Sequence, residues 1–511
     1  MHASPSTPRR SNRARRGLTL AAIAPSLLVA SVAAAQSSAV WSEFQGGPAR
    51  TGVSTDGPEP GLRQVWRTEV PPGGPEERFG LSAPIVSDDV AVAVGPEQVL
   101  GFDISSGTQV FEVDRDLGPS VPAAAATVGQ RTVIVYTEGW GDGPPSADPA
   151  ATEASPSASS SAGAGVDSDE VDSHLAAFDL DTQQPSWAPI RLDGVSRTGV
   201  TVLDGMAIVG VNDGTITAVD LTDGSLTWER QLDARLVTPL AAADGLVLAG
   251  LQGGRDTQPE VVALDVTSGQ ERWRHEPTTA SALVSAVSVA DGRVLALFAA
   301  GLGETSVVAL DAADGAEAWN VRVSAPFDVV APTVVTADTV FVTDFNGHSL
   351  ALETATGERR WDFAQNTPTL QTVPMLVGSH LLVPSLDGAL GAIDIETGEL
   401  VWRRADDGSP MRALAAAGEM LITVRGGALS GVEALEHDPD APLVRESSPT
   451  TLALGRMVGS MGLAAVGVLA LVLLAGRVLS RRTGPALTDN DGSEAEDEPI
   501  RDPWEDEDPT Q

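Results

Sequence analysis

"VVALDVTSGQERWRH", residues 261–275, joins a short apolar run to an aspartate, a Thr-Ser-Gly turn and a single tryptophan. Aspartate and serine before a glycine favour a tight turn, because the carboxylate binds main-chain N–H groups and Gly adopts positive φ. The stretch therefore predicts a β-hairpin whose second strand carries Trp273. A large aromatic side chain on such a polar strand needs an explanation, and the recurrence of the stretch provides it.

The hairpin pattern occurs seven times in the chain. The copies are "GFDISSGTQVF" from residue 101, "AFDLDTQQPSW" from 177, "AVDLTDGSLTW" from 218, "ALDVTSGQERW" from 263, "ALDAADGAEAW" from 309, "ALETATGERRW" from 351 and "AIDIETGELVW" from 392. A further strand, "LRQVW", has no hairpin partner before it. Together they align eight aromatic residues: Trp66, Phe111, Trp187, Trp228, Trp273, Trp319, Trp361 and Trp402. Seven copies in 511 residues indicate a repeat architecture rather than one ordinary core.

The aromatic positions are separated by 45, 76, 41, 45, 46, 42 and 41 residues. The long interval contains an insert of 32 residues, 142–173, that is rich in Ser, Ala, Pro and Gly. Such a composition buries too little apolar surface to offset the entropy cost of ordering. We therefore expect the insert to be a disordered, exposed loop, and the interval without it matches the others.

Each period contains the same order of short strands. In one copy, "MAIVGV" is followed by an Asn-Asp-Gly turn, "TITAVD", a Thr-Asp-Gly turn and "LTWER". Three strands joined by tight turns form a meander, and an apolar segment before each meander supplies a fourth strand. Four strands every 40 to 45 residues are typical of β-propeller blades.

The unpaired ends of the repeat give the number of blades. Three strands follow Trp402 without an aromatic strand behind them, and the strand that ends at Trp66 completes this last blade. The sequence thus predicts an all-β, eight-bladed propeller over residues 36–437 that has no exposed sheet edge at its closure. We interpret the eight aromatic residues as blade-docking residues, each packed on small residues of the next blade and burying about 200 Å².

Both ends of the chain carry apolar segments. Residues 1–35 have five arginines before an apolar run, which predicts a signal peptide or, alternatively, an uncleaved membrane anchor. Residues 455–478 are long and apolar enough for a transmembrane helix, and the arginines after it place the C-terminal side in the cytoplasm. The propeller would then be extracytoplasmic, joined to the helix by a stalk, residues 438–454. Residues 479–511 are predicted to be an acidic, disordered cytoplasmic tail.

The net charge of −38 is concentrated in the exported body, because residues 36–454 carry −37. So acidic a surface repels phosphate backbones, which makes nucleic acid a poor partner. A basic face of a protein, or cations, remain possible partners.

The pattern A-x-D-x-x-T-G-x-x-x-W, as in "AIDIETGELVW", resembles the repeat of the PQQ-binding-like β-propellers, and "WSEFQGGPARTGV" from Trp41 resembles the entry segment of that family. The resemblance covers roughly residues 41–436. It implies one of two functions: that of the quinoprotein dehydrogenases, which use PQQ and Ca²⁺, or that of the non-catalytic outer-membrane assembly lipoprotein, which docks on a β-barrel insertase.

Candidate catalytic chemistry is scarce in the sequence. The chain has no cysteine, whereas quinoprotein alcohol dehydrogenases of the family commonly have a disulfide beside the cofactor. The repeat aspartates occupy the turn position, where capping of main-chain N–H groups is a simpler role than metal binding. The six histidines show no paired spacing that would indicate a zinc site. We therefore predict no catalytic residue, no cofactor and no metal site.

These observations favour a non-enzymatic envelope protein whose propeller binds or scaffolds an envelope protein or polymer, and whose C-terminal helix is in the membrane. A membrane-tethered, PQQ-dependent oxidoreductase is one alternative. An extracellular sensor that signals through the acidic tail is another.

Overall fold

The computed structural model describes a defined part of the chain: residues 41–70, 80–139, 173–236, 238–253, 258–277, 283–299, 305–323, 331–344, 347–364, 372–385, 387–404, 409–426 and 431–440. All of them belong to one compact unit, Ala39–Gln511. The predicted signal segment, the transmembrane helix, the tail, nearly all of the insert and most of the stalk lie outside the described residues. Within the described ranges no helix is long and apolar enough to cross a membrane.

The described residues form β-strands and one short 3-10 helix. The chain begins with the helix Phe44–Gly46, β1 (Val53–Ser54) and β2 (Leu62–Glu69). Blade 1 contains β3 (Ile85–Ser87), β4 (Val90–Val94), β5 (Gln98–Asp103) and β6 (Gln109–Asp114), and blade 2 contains β7 (Ala124–Val128), β8 (Arg131–Glu138), β9 (Ser173–Asp179) and β10 (Ile190–Leu192). Blade 3 contains β11 (Val200–Leu203), β12 (Met206–Gly210), β13 (Thr215–Asp220) and β14 (Leu226–Gln231). Blade 4 contains β15 (Arg235–Leu236), β16 (Ala241–Ala243), β17 (Leu246–Gln252), β18 (Glu260–Asp265) and β19 (Glu271–His275).

Blades 5 to 8 continue in the same order. Blade 5 contains β20 (Leu283–Ala290), β21 (Arg293–Ala299), β22 (Thr305–Asp311) and β23 (Glu317–Arg322), and blade 6 contains β24 (Val334–Val335), β25 (Thr339–Thr343), β26 (His348–Glu353) and β27 (Arg359–Ala364). Blade 7 contains β28 (Met375–Val377), β29 (His380–Pro384), β30 (Leu390–Asp394) and β31 (Leu400–Arg404). Blade 8 contains β32 (Met411–Ala417), β33 (Met420–Arg425) and β34 (Gly431–His437).

The eight sheets close into a ring, which confirms the predicted eight-bladed propeller. The first strand of each blade lies innermost, and β3 of blade 1 contacts β32 of blade 8. Blade 8 has the strand order β2-β34-β33-β32, so the strand that carries Trp66 does complete the last blade. This pairing joins the two ends of the propeller through an antiparallel ladder from Leu62 with His437 to Glu69 with Gly431.

The hydrophobic core lies in the seams between blades. Six of the seven clusters of buried residues join one pair of neighbouring blades each, and the seventh joins blades 7, 8 and 1. Middle strands such as Met206–Gly210 are buried along their whole length because a blade lies on each side. Outer strands bury mainly their aromatic residue. Each blade is thus a thin sheet that becomes stable only against its neighbours.

In blades 1 to 7, two of the hairpins lie at the same end of the blade and define one face of the ring. The first-to-second and third-to-fourth strand turns lie together on what we call the turn face, where Val266 N donates to Gly245 O at 2.9 Å. The strand ends that the other connections join lie on the opposite side, which we call the loop face. In blade 4, Asp265 accepts hydrogen bonds from Ser268 N and Oγ at 2.9 and 2.7 Å, and Gly269 has a φ of +65°. This is the turn geometry expected from the opening stretch.

Blade 2 departs from the predicted strand positions. Trp187 lies before the outer strand, which begins only at Ile190. Two prolines, Pro185 and Pro189, flank the tryptophan, and proline has no N–H to donate to a sheet ladder. The insert also ends one residue earlier than expected, because Ser173 begins β9.

We predict that Gly269→Ala destabilises the propeller far more than Gly245→Ala. Both glycines have positive φ, so both variants carry the backbone strain of that conformation. A Cβ at Gly269 would lie 2.6 Å from the ring of Trp228, whereas one at Gly245 has nothing within 4 Å. Overpacking of this kind costs about 1–3 kcal/mol beyond the strain. Urea denaturation of both variants measures the difference, and equal midpoints would contradict the expected clash.

Candidate functional site

The predicted docking residues lie in the seams between blades. Seven of the eight are buried and Trp361 is half-buried. Each indole of five tryptophans donates its N–H at 2.7–2.8 Å to a carbonyl just after the repeat Asp or Glu of the next blade. The pairs are Trp66 with Ile104, Trp228 with Val266, Trp273 with Ala312, Trp319 with Thr354 and Trp361 with Ile395.

Six tryptophan rings also lie on the turn glycine of the next blade. A Cβ on any of these glycines would come within 2.4–2.8 Å of the ring. The glycines are Gly107, Gly224, Gly269, Gly315, Gly357 and Gly398. Each of these six glycines is therefore required for two reasons: its positive φ, and the space that the indole occupies where a Cβ would be.

The seam between blades 1 and 2 has neither the tryptophan nor the glycine, which agrees with the pairing of the two residues at the other seams. Phe111 stands where the other blades have tryptophan, and the facing turn of blade 2 has Gln183 in place of glycine, with a φ of +55°. The smaller ring leaves room for a side chain at this turn. Phe111 instead packs edge-on against Phe178 with ring centroids 5.5 Å apart.

Two indoles differ in their polar contacts. Among the described residues, Trp187 Nε1 and Trp402 Nε1 have no hydrogen-bond partner. Trp187 lies between two prolines, outside the continuous outer strand of its blade, although its ring still lies on Gly224. Trp402 faces blade 8, whose third and fourth strands come from opposite ends of the chain and so form no repeat turn.

The repeat aspartates are used as turn caps. Each accepts a hydrogen bond from a main-chain N–H two or three residues later. They are Asp103, Asp179, Asp220, Asp265, Asp311 and Asp394. Hydrogen bonds from Arg272 and Ser268 hold the pKa of Asp265 at about 2, so this carboxylate is charged at neutral pH.

The entry segment, residues 41–54, follows the inner wall of the ring close to the turn face, and we call it the axial segment. One N–H group from the innermost strand of each of seven successive blades donates to it at 2.7–2.9 Å. The donors are Val86, Ala125, Val202, Ala242, Val289, Val335 and Leu376. Their acceptors are the carbonyls of Trp41, Ser42, Pro48, Ala49, Thr51 and Gly52, and Oε1 of Glu43 for Val202.

Two charged residues of the axial segment are buried against the axis. Glu43 and Arg50 are each 1% exposed, and their side chains form an ion pair at 3.3 Å. Arg50 Nε donates to Leu240 O at 2.9 Å, and its Nη2 donates to Thr201 Oγ1 at 2.5 Å. Burial raises the pKa of Glu43 to about 7, although Arg50 acts against this rise. Burial likewise lowers the pKa of Arg50.

The sequence did not single out this pair. "WSEFQGGPARTGV" belongs to no repeat, so the comparison of blades is uninformative about it. The available signal is the placement of one acidic and one basic residue among small residues that precede the first blade. Neither side chain has a sequence pattern that predicts its burial, because most of its polar partners belong to blades 3 and 4; within the segment, the Arg50 side chain contacts Phe44 and Glu43.

The described residues do not match the donor set that a quinoprotein needs. Calcium in proteins prefers six to eight oxygen ligands, and no group of three or more acidic or histidine residues in the described ranges has an arrangement that could hold a metal ion. His348 comes nearest, since its Nδ1 lies 3.7 Å from Asp344 and its Nε2 contacts Asp362, but this group supplies only two carboxylates. The turn-face end of the axis is filled by the axial segment, and the repeat carboxylates are used in turns.

Comparison with known proteins assigns the family. The family described as outer membrane protein assembly factor BamB, a PQQ-like repeat family, matches residues 171–370, 303–433 and 350–498. The chain belongs to this family. The BamB of Yersinia pestis is 24% identical over 260 residues, which are 48% of this chain and 63% of that protein. The BamB of Bordetella pertussis is 26% identical over 355 residues, which are 67% of this chain and 78% of that protein.

Solved structures agree in fold. BamB from Moraxella catarrhalis superposes with a TM-score of 0.53 at 17% identity, covering 73% of this chain and 99% of that one. A quinohemoprotein alcohol dehydrogenase from Pseudomonas putida superposes with a TM-score of 0.53 at 12% identity, covering 80% and 82%. These likenesses establish the propeller fold alone, since the two proteins are an assembly factor and an enzyme.

We predict that the stability of the protein carries a pH dependence due to Glu43. The folded pKa of about 7 lies above the usual value of 4.5, so the folded state binds this proton more tightly than the unfolded state. The contribution is complete below pH 4.5 and is lost as the pH rises to about 7. Chemical denaturation of Glu43→Gln and the unaltered protein from pH 5 to 8 measures it. Relative to the unaltered protein, the variant should gain stability as the pH rises.

At any one pH, the difference in free energy of unfolding between the variant and the unaltered protein also includes the loss of the ion pair. The test is therefore the slope of the free energy of unfolding against pH. Parallel stability curves across this range would contradict the raised pKa. Asp223→Asn, at an exposed turn, is the control, and its curve should parallel that of the unaltered protein over the same pH range.

Proposed function

We propose that this protein is a non-enzymatic scaffold of the bacterial cell envelope. Its propeller would hold an envelope protein or polymer outside the cytoplasm, and its C-terminal helix would fix it in the membrane. Membership of the BamB family supports the scaffold role, because the relatives named above are assembly factors. The protein partner of an outer-membrane assembly factor is, by the same likeness, the first kind of partner to consider.

The observation that carries the proposal is the use of the repeat carboxylates. The acidic side chains that recur in the blades cap turns, and the axis at the turn face is occupied by the protein itself. The chain contains no cysteine for nucleophilic or redox chemistry. What remains for function is a broad propeller face, which suits the recognition of another macromolecule.

We expect the partner to contact the loop face. Turns on the other face are short and repeat from blade to blade, whereas loop-face connections differ in length and sequence. Connections that vary while the scaffold is constant are the usual location of binding residues. The segment between β10 and β11 is one example, and its Asp193 has a side chain that is 82% exposed.

The absence of cysteine allows this arrangement to be tested with single-cysteine variants of the full chain. Asp193→Cys lies on the loop face, and Gln130→Cys lies in an exposed turn of blade 2 on the turn face. A membrane-impermeant maleimide should label both in intact cells, and should label Ser493→Cys in the tail only after lysis. Labelling of the tail in intact cells would contradict the proposed topology.

The same two variants locate the partner. A thiol-anchored photo-crosslinker at position 193 should give a discrete adduct, identified by mass spectrometry, and one at position 130 should give none. Adducts from position 130 alone would place the partner on the turn face and overturn the assignment.

A quinone assay separates the scaffold from the oxidoreductase. We expect purified full-length protein, mixed with PQQ and Ca²⁺, to show no tight quinone binding and no dye-linked oxidation of alcohols or sugars. A known quinoprotein reconstituted in parallel is the positive control. Substrate-dependent dye reduction that requires both additives would refute the non-enzymatic role.

A further inference from the structure

The axial segment makes the contacts of a bound peptide rather than those of a connecting loop. Its main-chain carbonyls accept from blades that are far apart in sequence, with Trp41 bound to Val86 and Gly52 bound to Leu376. Its last two residues, β1, pair in parallel with β28 of blade 7, which is strand addition to an existing sheet. Beyond it the chain passes through Thr55 and Asp56, both exposed, before β2 begins at Leu62.

We propose that the turn-face end of the propeller axis is a binding site for an extended peptide, and that residues 41–54 are its resident ligand, held there within the same chain.

The inner wall supplies the main-chain part of the site. The innermost strand of a propeller blade is an edge strand, and its inward N–H groups have no neighbouring strand to receive them. Seven successive blades each present one such N–H to the axial segment, from Val86 in blade 1 to Leu376 in blade 7. A peptide that winds round the wall satisfies all seven, and an unsatisfied buried N–H costs about 1–3 kcal/mol.

Side chains give the site its selectivity. Arg50 donates to Leu240 O, Val200 O and Thr201 Oγ1, which belong to blades 3 and 4. Glu43 accepts from Val202 N at 2.9 Å and pairs with Arg50. The ligand is therefore an extended peptide with a carboxylate and, seven residues later, a guanidinium. Planar guanidinium groups suit such convergent acceptors better than an ammonium does.

Two glycines let the peptide follow so tight a path. Gly46 has a φ of +94°, and a Cβ there would lie 3.1 Å from the ring of Trp41. Gly52 has a φ of +69°, and a Cβ there would lie 3.1 Å from Val334. The ligand thus needs glycine three residues after its carboxylate and two residues after its guanidinium.

The short linker to β2 keeps the segment at a high local concentration. For linkers of this length the effective concentration is on the order of millimolar, which is enough to keep even a weak ligand in place. Cutting the linker removes this advantage while leaving every contact at the axis intact. Cleavage therefore distinguishes a bound ligand from a strand that stays only because it is attached.

The experiment uses the full chain with a protease recognition sequence inserted between Thr55 and Asp56. After purification and cleavage, native mass spectrometry should show the N-terminal fragment still bound to the propeller. A fluorescent synthetic peptide, "WSEFQGGPARTGVS", should then displace the fragment, measured by fluorescence anisotropy. Uncut protein, in which the site is occupied, should not bind the peptide.

Variant peptides test the recognition. Arg50→Ala in the peptide should weaken binding roughly 100-fold, because it removes several hydrogen bonds from a charged donor. Ser42→Ala is the matched control, since Ser42 contributes only its carbonyl, to Ala125 N, and its affinity should equal that of the unaltered peptide.

Three results would overturn the proposal. One is prompt loss of the fragment from a propeller that keeps its tryptophan fluorescence and melting temperature. The second is equal binding of the Arg50→Ala and unaltered peptides. If cleavage instead unfolds the propeller, addition of excess peptide should restore the folded signal, and failure of the peptide to do so is the third.

Discussion

The contact between an indole and a turn glycine of the next blade is the interaction on which the ring depends. A four-stranded blade has too little apolar surface to be stable alone, so its stability comes from the two seams that it shares. At each of six seams the tryptophan indole lies on a glycine, where any added Cβ would come within 2.8 Å of the indole atoms. In five seams the indole N–H also bonds a carbonyl of the same turn. At these six seams the packing of neighbouring blades rests on one repeated contact.

A second set of contacts, the hydrogen bonds of the axial segment, stabilises the ring at its inner wall. The aromatic contacts join neighbouring blades in pairs, whereas the axial segment joins seven blades through one stretch of chain. Pairwise contacts alone let small errors accumulate round a ring. A single segment that bonds equivalent N–H groups of successive blades fixes them at one level, and the ladder between β2 and β34 then closes the circle.

Periodic features of the fold could be read from the sequence, and non-periodic ones could not. The register of eight aromatic positions gave the blade number and the closing strand, because each copy repeats the same local turn chemistry. Trp187 was placed in a strand because the register predicts one, but between its flanking prolines the chain forms only the isolated bridge of Pro185 with Phe178, and the continuous strand begins at Ile190. The exchange of Gly for Gln183 opposite Phe111 is visible in the sequence, yet its meaning depends on knowing which blades touch. Glu43 and Arg50 belong to no repeat, and the blades that bury them lie at least 150 residues away in sequence.

The two faces of the ring differ in what they can offer a partner. On the turn face the third-to-fourth strand turn is bonded to the first-to-second strand turn of its own blade, as Leu221 N is to Gly205 O and Ala312 N is to Gly292 O. Main-chain groups there are already paired, and the carboxylates cap their own turns. The pattern also recurs from blade to blade, so it presents similar chemistry in seven directions. Selective recognition needs groups that differ between blades, and in this chain the connections on the loop face differ in length and sequence from blade to blade. The physical division is therefore between a face and axis used to hold the ring together and a face that is free to vary.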